Sequence, residues 1–169
     1  MISLLIPQEL KVLCLNHLKD NSMGHRDKFN GSVEKQYAGL IAENMVRNYY
    51  GLPYEFGESF DGGFDFELKG KKVDVKTMIR SVDPKPHYAN NFVAYQKDFE
   101  CDILYFTSIN KKTSTLWLCG VMYKKDFLDQ ASFFEKGDTR TRDDGTEFEL
   151  EAPLYEITNK LLIPITREV

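Results

Sequence analysis

The sequence predicts an α/β (α+β) fold in which a central mixed β-sheet of about four to five strands is flanked by helices. Three observations lead to this class: two segments with helical spacing of apolar residues, a hairpin with alternating arms, and two short apolar strands after it. The chain has 169 residues, of which 42% are hydrophobic. That length suffices for a sizeable core, so we expect residues 1–169 to form a single domain.

Two helices are predicted before the hairpin. The first is expected at residues 7–21, because Pro7 suits an opening position and apolar residues follow at helical spacing: Leu10, Leu13, Cys14 and Leu18. The second begins after Ser32, a favourable N-cap, and ends at Gly51-Leu52-Pro53.

Glu43 is the acidic residue of interest on the second helix. It lies one turn after Gly39 and borders the apolar face, so its carboxylate could reach over the edge of the core into a neighbouring site. A surface ion pair between Glu43 and Arg47 is the alternative interpretation.

A β-hairpin is predicted over residues 64–77, FDFELKGKKVDVKT, because its two alternating arms are separated by Lys69-Gly70. The register that follows from this turn places Asp65 opposite Asp74, with Lys76 on the same face. Like charges that face each other across a ladder destabilise it by up to about 1 kcal/mol. We therefore expect a cation between the two aspartates.

A plainer interpretation of the hairpin stays open. Its charged residues could solvate the outer face of an antiparallel pair, with nearby lysines as counter-charges. In that case the solvated residues are Asp65, Glu67, Asp74 and Lys76, and the counter-charges are Lys69, Lys71 and Lys72.

The segments after the hairpin extend the predicted sheet. Asp102–Ile109 and Thr115–Met122 are short, apolar and rich in β-branched and aromatic residues, which predicts buried strands. Tyr123–Ala131 predicts a short helix, and Glu135–Thr146 predicts a polar loop. Phe92–Phe99 is compatible with either a helix or a strand.

Composition and charge argue against several classes of protein. The three cysteines, Cys14, Cys101 and Cys119, are widely spaced in apolar sequence and predict reduced core thiols instead of a disulfide framework or a zinc site. The net charge of -4 argues against a protein that coats nucleic acid indiscriminately. No apolar run approaches the length of a membrane span, and the first residues do not form a secretory signal, so an intracellular, cytoplasmic protein with no membrane partner is expected.

A few basic residues close to the acidic hairpin are candidate nucleic-acid-binding residues. Arg80, Lys85 and His87 follow the second arm directly, and Lys97 comes shortly after them. Contacts of these side chains with phosphates would weaken as the salt concentration rises.

The order of these acidic and basic residues resembles that of the PD-(D/E)XK nuclease superfamily, which has the restriction-endonuclease-like fold. The elements that carry the resemblance are Glu43 on a helix, Asp65 on a strand, and Asp74-Val75-Lys76 on its hairpin partner. The resemblance covers a core of about residues 32–128 and leaves a C-terminal extension at 129–169 outside it. Phe64 stands where the family name has proline, which many members also lack.

The resemblance implies a metal-dependent endonuclease, a hydrolase that cleaves phosphodiester bonds in DNA. It implies Glu43, Asp65, Asp74 and Lys76 as catalytic residues, and Mg²⁺ bound by Asp65, Asp74, the Val75 carbonyl and Glu43, with Mn²⁺ as a substitute. Such a metal lowers the pKa of bound water and stabilises developing charge. Lys76 would orient or deprotonate the attacking water, or neutralise the phosphate; the sequence does not separate these roles.

Two further expectations accompany this interpretation. Cleavage of both strands of a duplex would favour a homodimer, and the small size suggests a stand-alone enzyme of bacterial or phage type. The alternative function is a non-catalytic nuclease-like module that binds or inhibits a nucleic-acid enzyme.

Overall fold

The computed structural model describes residues 1–20, 32–57, 63–142 and 144–166. In chain order these residues form β1 (Ile2–Leu5), α1 (Gln8–Asp20), α2 (Val33–Tyr49), β2 (Phe66–Leu68), β3 (Lys71–Arg80), β4 (Ala89–Val93), β5 (Ile103–Asn110), β6 (Thr115–Tyr123), α3 (Lys124–Gln130), β7 (Ser132–Phe134), β8 (Thr139–Thr141), β9 (Glu147–Glu149) and β10 (Leu154–Thr158). Short 3-10 helices follow β4 at Ala94–Asp98 and β10 at Asn159–Leu161.

The central sheet has five strands in the order β1-β6-β5-β3-β2. β3 and β5 pair in parallel, whereas the other neighbours are antiparallel, so the predicted mixed sheet is confirmed. The strand β1 at one edge was not predicted. Its four residues alternate between half-buried and exposed, a signal too short to distinguish from a terminal coil.

The hairpin β2–β3 adopts the predicted turn and register. Lys69 and Gly70 have φ values of 48° and 76°, as a two-residue hairpin turn with both central residues at positive φ requires. Leu68 pairs with Lys71 and Phe66 with Val73, which is the register predicted from the turn. The ladder ends there, one residue short of Asp65.

Helices cover one face of the central sheet. The apolar sides of α1 and α2 pack against alternate residues of the strands, among them Val73, Tyr105 and Leu118. Ser32 is the N-cap of α2, since its hydroxyl accepts a hydrogen bond from the Lys35 N–H at 3.3 Å, as predicted. We refer to this side of the sheet as the helical face.

The opposite face is covered mainly by strands, which differs from the predicted flanking by helices. A three-stranded sheet in the order β4-β10-β7 and the short helix α3 enclose a second apolar cluster that includes Phe92, Phe106 and Phe127. β4 and β10 are far apart in the sequence, so their pairing could not be predicted from local pattern. We refer to this side as the strand face.

The structure decides the state of two further segments. Phe92–Phe99 is both strand and helix, because β4 ends at Val93 and a 3-10 turn follows. The polar loop predicted over Glu135–Thr146 is wrong in part, since β8 lies within it and pairs with β9. Along the residues that the structure covers, no helix combines the length and apolar character needed to cross a membrane.

Candidate active site

An ion pair between Asp74 and Lys76 lies on the strand face of β3. Val73 and Val75 pack on the helical face, so the residues that alternate with them project to the other side. The Lys76 ammonium lies 2.7 Å from an Asp74 carboxylate oxygen, and only 18% and 9% of the two side chains are exposed. The ammonium also lies 5.4 Å from the ring centre of Phe92. These two contacts hold the lysine in place.

Asp65 is held against the backbone between the members of this pair. Its N–H donates to the Val73 carbonyl at 2.8 Å, and its carboxylate accepts a hydrogen bond of 2.7 Å from the Val75 N–H. In an extended strand, the N–H and C=O of one residue point to the same side. The Val75 carbonyl is therefore directed toward the edge of β3 at which the Asp65 carboxylate lies.

Lys124 is a member of this region that sequence analysis missed. It is the first residue of α3, it is buried, and its ammonium donates to the carbonyls of Gln96, at 3.3 Å, and Phe99. Burial lowers its pKa, while the charge of Asp74 acts in the opposite direction. In the sequence, Lys124 is one of two adjacent lysines after a strand, and nothing local shows which of them is buried.

The thiol of Cys101 also lies within electrostatic reach of the pair. Burial, and secondarily the charge of Asp74, raises its pKa from 9.0 to about 12. Cys101 is therefore a neutral thiol at physiological pH. All three cysteines are free; Cys14 and Cys119 are buried and Cys101 is half-buried.

Glu43 is not brought to the Asp74–Lys76 pair. It lies on α2, which packs on the helical face, whereas the pair projects from the strand face. Its half-buried carboxylate acts on α1, where its charge adds to the effect of burial on the Cys14 thiol.

Three of the four predicted nucleic-acid-binding residues gather around Tyr88. The Arg80 guanidinium carbon lies 4.8 Å and the Lys85 ammonium 5.8 Å from the centre of the Tyr88 ring, and the His87 ring centre lies 5.0 Å away. We call these four residues the Tyr88 cluster. Lys97, the fourth predicted residue, lies exposed in the 3-10 helix that follows β4.

The oxygen atoms of Asp65, Asp74 and the Val75 carbonyl are of the kind that a hard divalent cation takes as ligands. Carboxylate and carbonyl oxygens are the ligands that Mg²⁺ and Mn²⁺ prefer. Within the parts of the chain that the structure covers, no three or more His, Cys, Asp and Glu side chains are grouped to hold a metal ion. The three candidate ligands are two carboxylates and one backbone oxygen.

Comparisons with family models, with curated proteins and with solved structures each found no match to this chain.

Proposed function

We propose that this protein is a Mg²⁺-dependent nuclease of the PD-(D/E)XK type that hydrolyses phosphodiester bonds in DNA. The observation that carries the proposal is the Asp74–Lys76 ion pair of 2.7 Å, with the Asp65 carboxylate bound to the backbone of the residue between them. A surface hairpin that merely solvates its charges would expose them, yet Asp74 is buried.

The residues around the Asp74–Lys76 pair would each have a separate role in hydrolysis. Asp65, Asp74 and the Val75 carbonyl would hold the Mg²⁺, which supplies a nucleophile at neutral pH and positive charge at the scissile phosphate. Lys76 places an ammonium beside these ligands, where it binds a phosphate oxygen or orients the attacking water. Lys124 adds a second, desolvated positive charge to the same region.

The decisive experiment measures cleavage of supercoiled and linear DNA by purified variants with and without Mg²⁺. Asp74→Asn, Lys76→Met and Asp65→Asn should each lower the cleavage rate by about 100-fold or more. Because each change removes one partner of a buried or partly buried contact, circular dichroism must show that the variants remain folded at the assay temperature.

Two charged neighbours provide matched controls. Glu67 is exposed on β2, between the turn and Asp65. Lys72 lies on β3, two residues before Asp74, and pairs with Glu100. Glu67→Gln and Lys72→Ala should therefore leave cleavage within about threefold of the wild-type rate. Wild-type cleavage by the folded Lys76→Met variant would refute the proposed site.

The same assay tests the non-catalytic alternative. A nuclease-like module that only binds or inhibits another nucleic-acid enzyme would show no cleavage with Mg²⁺ or Mn²⁺ on any DNA. Calorimetric titration with Mn²⁺ separates the two further, since the enzyme should show a saturable site that Asp74→Asn removes.

A further inference from the structure

The strand β4 runs alongside β3 on the strand face and links the Tyr88 cluster with the Asp74–Lys76 pair. Near the start of β4, the Arg80 guanidinium donates to the Ala89 carbonyl at 2.6 Å. Three residues later, the ring of Phe92 lies under the Lys76 ammonium, at 5.4 Å. β3 and β4 therefore run in opposite directions. The length of β4 sets the distance between the features at its two ends.

The Tyr88 cluster lies at the beginning of β4. It concentrates the charges of Arg80 and Lys85 and the imidazole of His87 around one ring, on a chain whose net charge is -4. Arg80 is anchored by bonds to Ala89 and Ser108, so its position is defined before any ligand binds. A local basic site on an acidic protein fits a few phosphates of one strand better than a long duplex.

Tyr95 lies just beyond the other end of β4, in the same 3-10 helix as Lys97. Its side chain is 42% exposed, and its ring centre is 6.4 Å from that of Phe99. Phe99 in turn packs on Gly63, since a Cβ added to Gly63 would lie 2.5 Å from the Phe99 Cβ. Gly63 precedes Asp65 by two residues, so Tyr95 lies at the Asp65 end of the candidate site.

A basic site and an exposed aromatic ring therefore flank the ion pair at the two ends of β4. The strand has five residues, which corresponds to a length of about 17 Å. Proteins that bind single-stranded nucleic acid combine a positively charged track with aromatic rings on which unpaired bases stack. In a duplex the faces of the bases are covered by their neighbours, and a ring such as Tyr95 has nothing to stack on except at an end.

We propose that the substrate is a single strand, or the single-stranded part of a branched or frayed DNA, which lies along β4. Its phosphates bind the Tyr88 cluster, one of its bases stacks on Tyr95, and the scissile phosphate lies between them at Lys76. This proposal rests on the proposed nuclease function, of which it specifies the substrate.

The test measures binding separately from cleavage. Fluorescence anisotropy of the inactive Asp74→Asn protein compares a labelled oligothymidylate of about 20 nucleotides with a hairpin duplex of equal length. The single strand should bind at least tenfold more tightly. Tyr95→Leu should weaken that binding by about tenfold, and Lys85→Ala should reduce the salt slope by about 0.7.

Tyr123→Leu and Lys19→Ala are the matched controls. Tyr123 is 50% exposed and pairs with Ile103, which belongs to the helical face, and Lys19 is exposed on α1. Both variants should bind the single strand as the Asp74→Asn parent does. Equal affinity for the duplex, or an effect of Tyr95→Leu no larger than that of Tyr123→Leu, would overturn the proposal.

The two proposals fail in different ways. If the wild-type protein cleaves DNA with Mg²⁺ but shows no preference for the single strand, the nuclease function is supported and the proposed single-strand binding along β4 is wrong. If the single strand binds through Tyr95 but no DNA is cleaved, single-strand binding along β4 is supported and the nuclease function is wrong.

Discussion

Lys124 is a buried lysine that stabilises the fold and also lies close to the Asp74–Lys76 pair. Its ammonium satisfies the carbonyls of Gln96 and Phe99, and so fixes the 3-10 helix that follows β4 against α3. The same ammonium lies close enough to Asp74 and Lys76 for their charges to affect its pKa. Adjacent Lys125 is exposed, which makes it the natural comparison.

We predict that Lys124→Met lowers the free energy of unfolding by about 1–3 kcal/mol, because two carbonyls lose their donor in a partly buried position. If the proposed nuclease function is right, cleavage should also slow, since a positive charge near the proposed position of the phosphate is lost. Urea unfolding and cleavage rates measure the two effects. If Lys125→Met is as damaging as Lys124→Met, the contacts to Gln96 and Phe99 do not carry the role we assign.

The pKa of the Cys14 thiol depends in part on the charge of Glu43. Burial raises the pKa of this thiol from 9.0 to about 12, and the charge of Glu43 adds to the rise. The folded protein therefore keeps the proton at pH values where the unfolded chain releases it, so stability is fully present below pH 9.0 and falls as the pH approaches 12.

We expect the free energy of unfolding of the wild-type protein to decrease with pH above 9.0, and to decrease less steeply in Cys14→Ala. Glu43→Gln should lower the Cys14 pKa, because it removes a negative charge that opposes the thiolate. Urea denaturation across this pH range measures the slopes, and NMR titration of the Cys14 Cβ measures the pKa. An unchanged pKa in Glu43→Gln would place Glu43 away from α1.

Two glycines within regular elements differ in the space around them. Gly39 lies in α2 with nothing within 4 Å of an added Cβ. Gly120 lies in β6, with a φ of 159°, beside the bulge at which the β5–β6 register shifts. A Cβ there would lie 2.5 Å from the Leu162 Cβ and 2.9 Å from the Ile163 carbonyl. Gly120 thus permits the C-terminal segment to pack on the sheet.

Alanine at these two positions should change stability in opposite directions. Gly39→Ala should raise the free energy of unfolding by about 0.5–1 kcal/mol, because alanine loses less conformational entropy in a helix. Gly120→Ala should lower it by about 1–3 kcal/mol through overpacking. Thermal denaturation of both variants provides the comparison, and a stable Gly120→Ala protein would mean that the segment around Leu162 can move aside.

If Mg²⁺ or Mn²⁺ binds the folded protein, it should raise the free energy of unfolding. A ligand that binds only the native state stabilises it by about 2.7 kcal/mol at 100 times its Kd. We therefore expect Mg²⁺ or Mn²⁺ to raise the melting temperature of the wild-type protein and of Glu67→Gln, but not that of Asp74→Asn. An equal rise in Asp74→Asn would mean that the ion binds elsewhere.

The sequence by itself determined the elements whose signals are local. The turn at Lys69-Gly70 and the alternation around it specified the register of β2 and β3, because a two-residue turn leaves one pairing that keeps the apolar side buried. Ser32 specified the start of α2 through its N-cap, and apolar runs specified β5 and β6. These elements also predicted that Asp74 and Lys76 share one face of β3, where they form an ion pair; Asp65 lies beside that strand and bonds to the Val75 N–H.

Only the tertiary structure decided which distant residues meet. It placed Glu43 on the helical face and buried Lys124 instead of Lys125. It also paired β4 with β10, so that Asn90 lies opposite Ile157, 67 residues later in the chain. It also gathered Arg80, Lys85 and His87 around Tyr88. These outcomes depend on how two layers pack on opposite faces of one sheet, and no local pattern of residues encodes that packing.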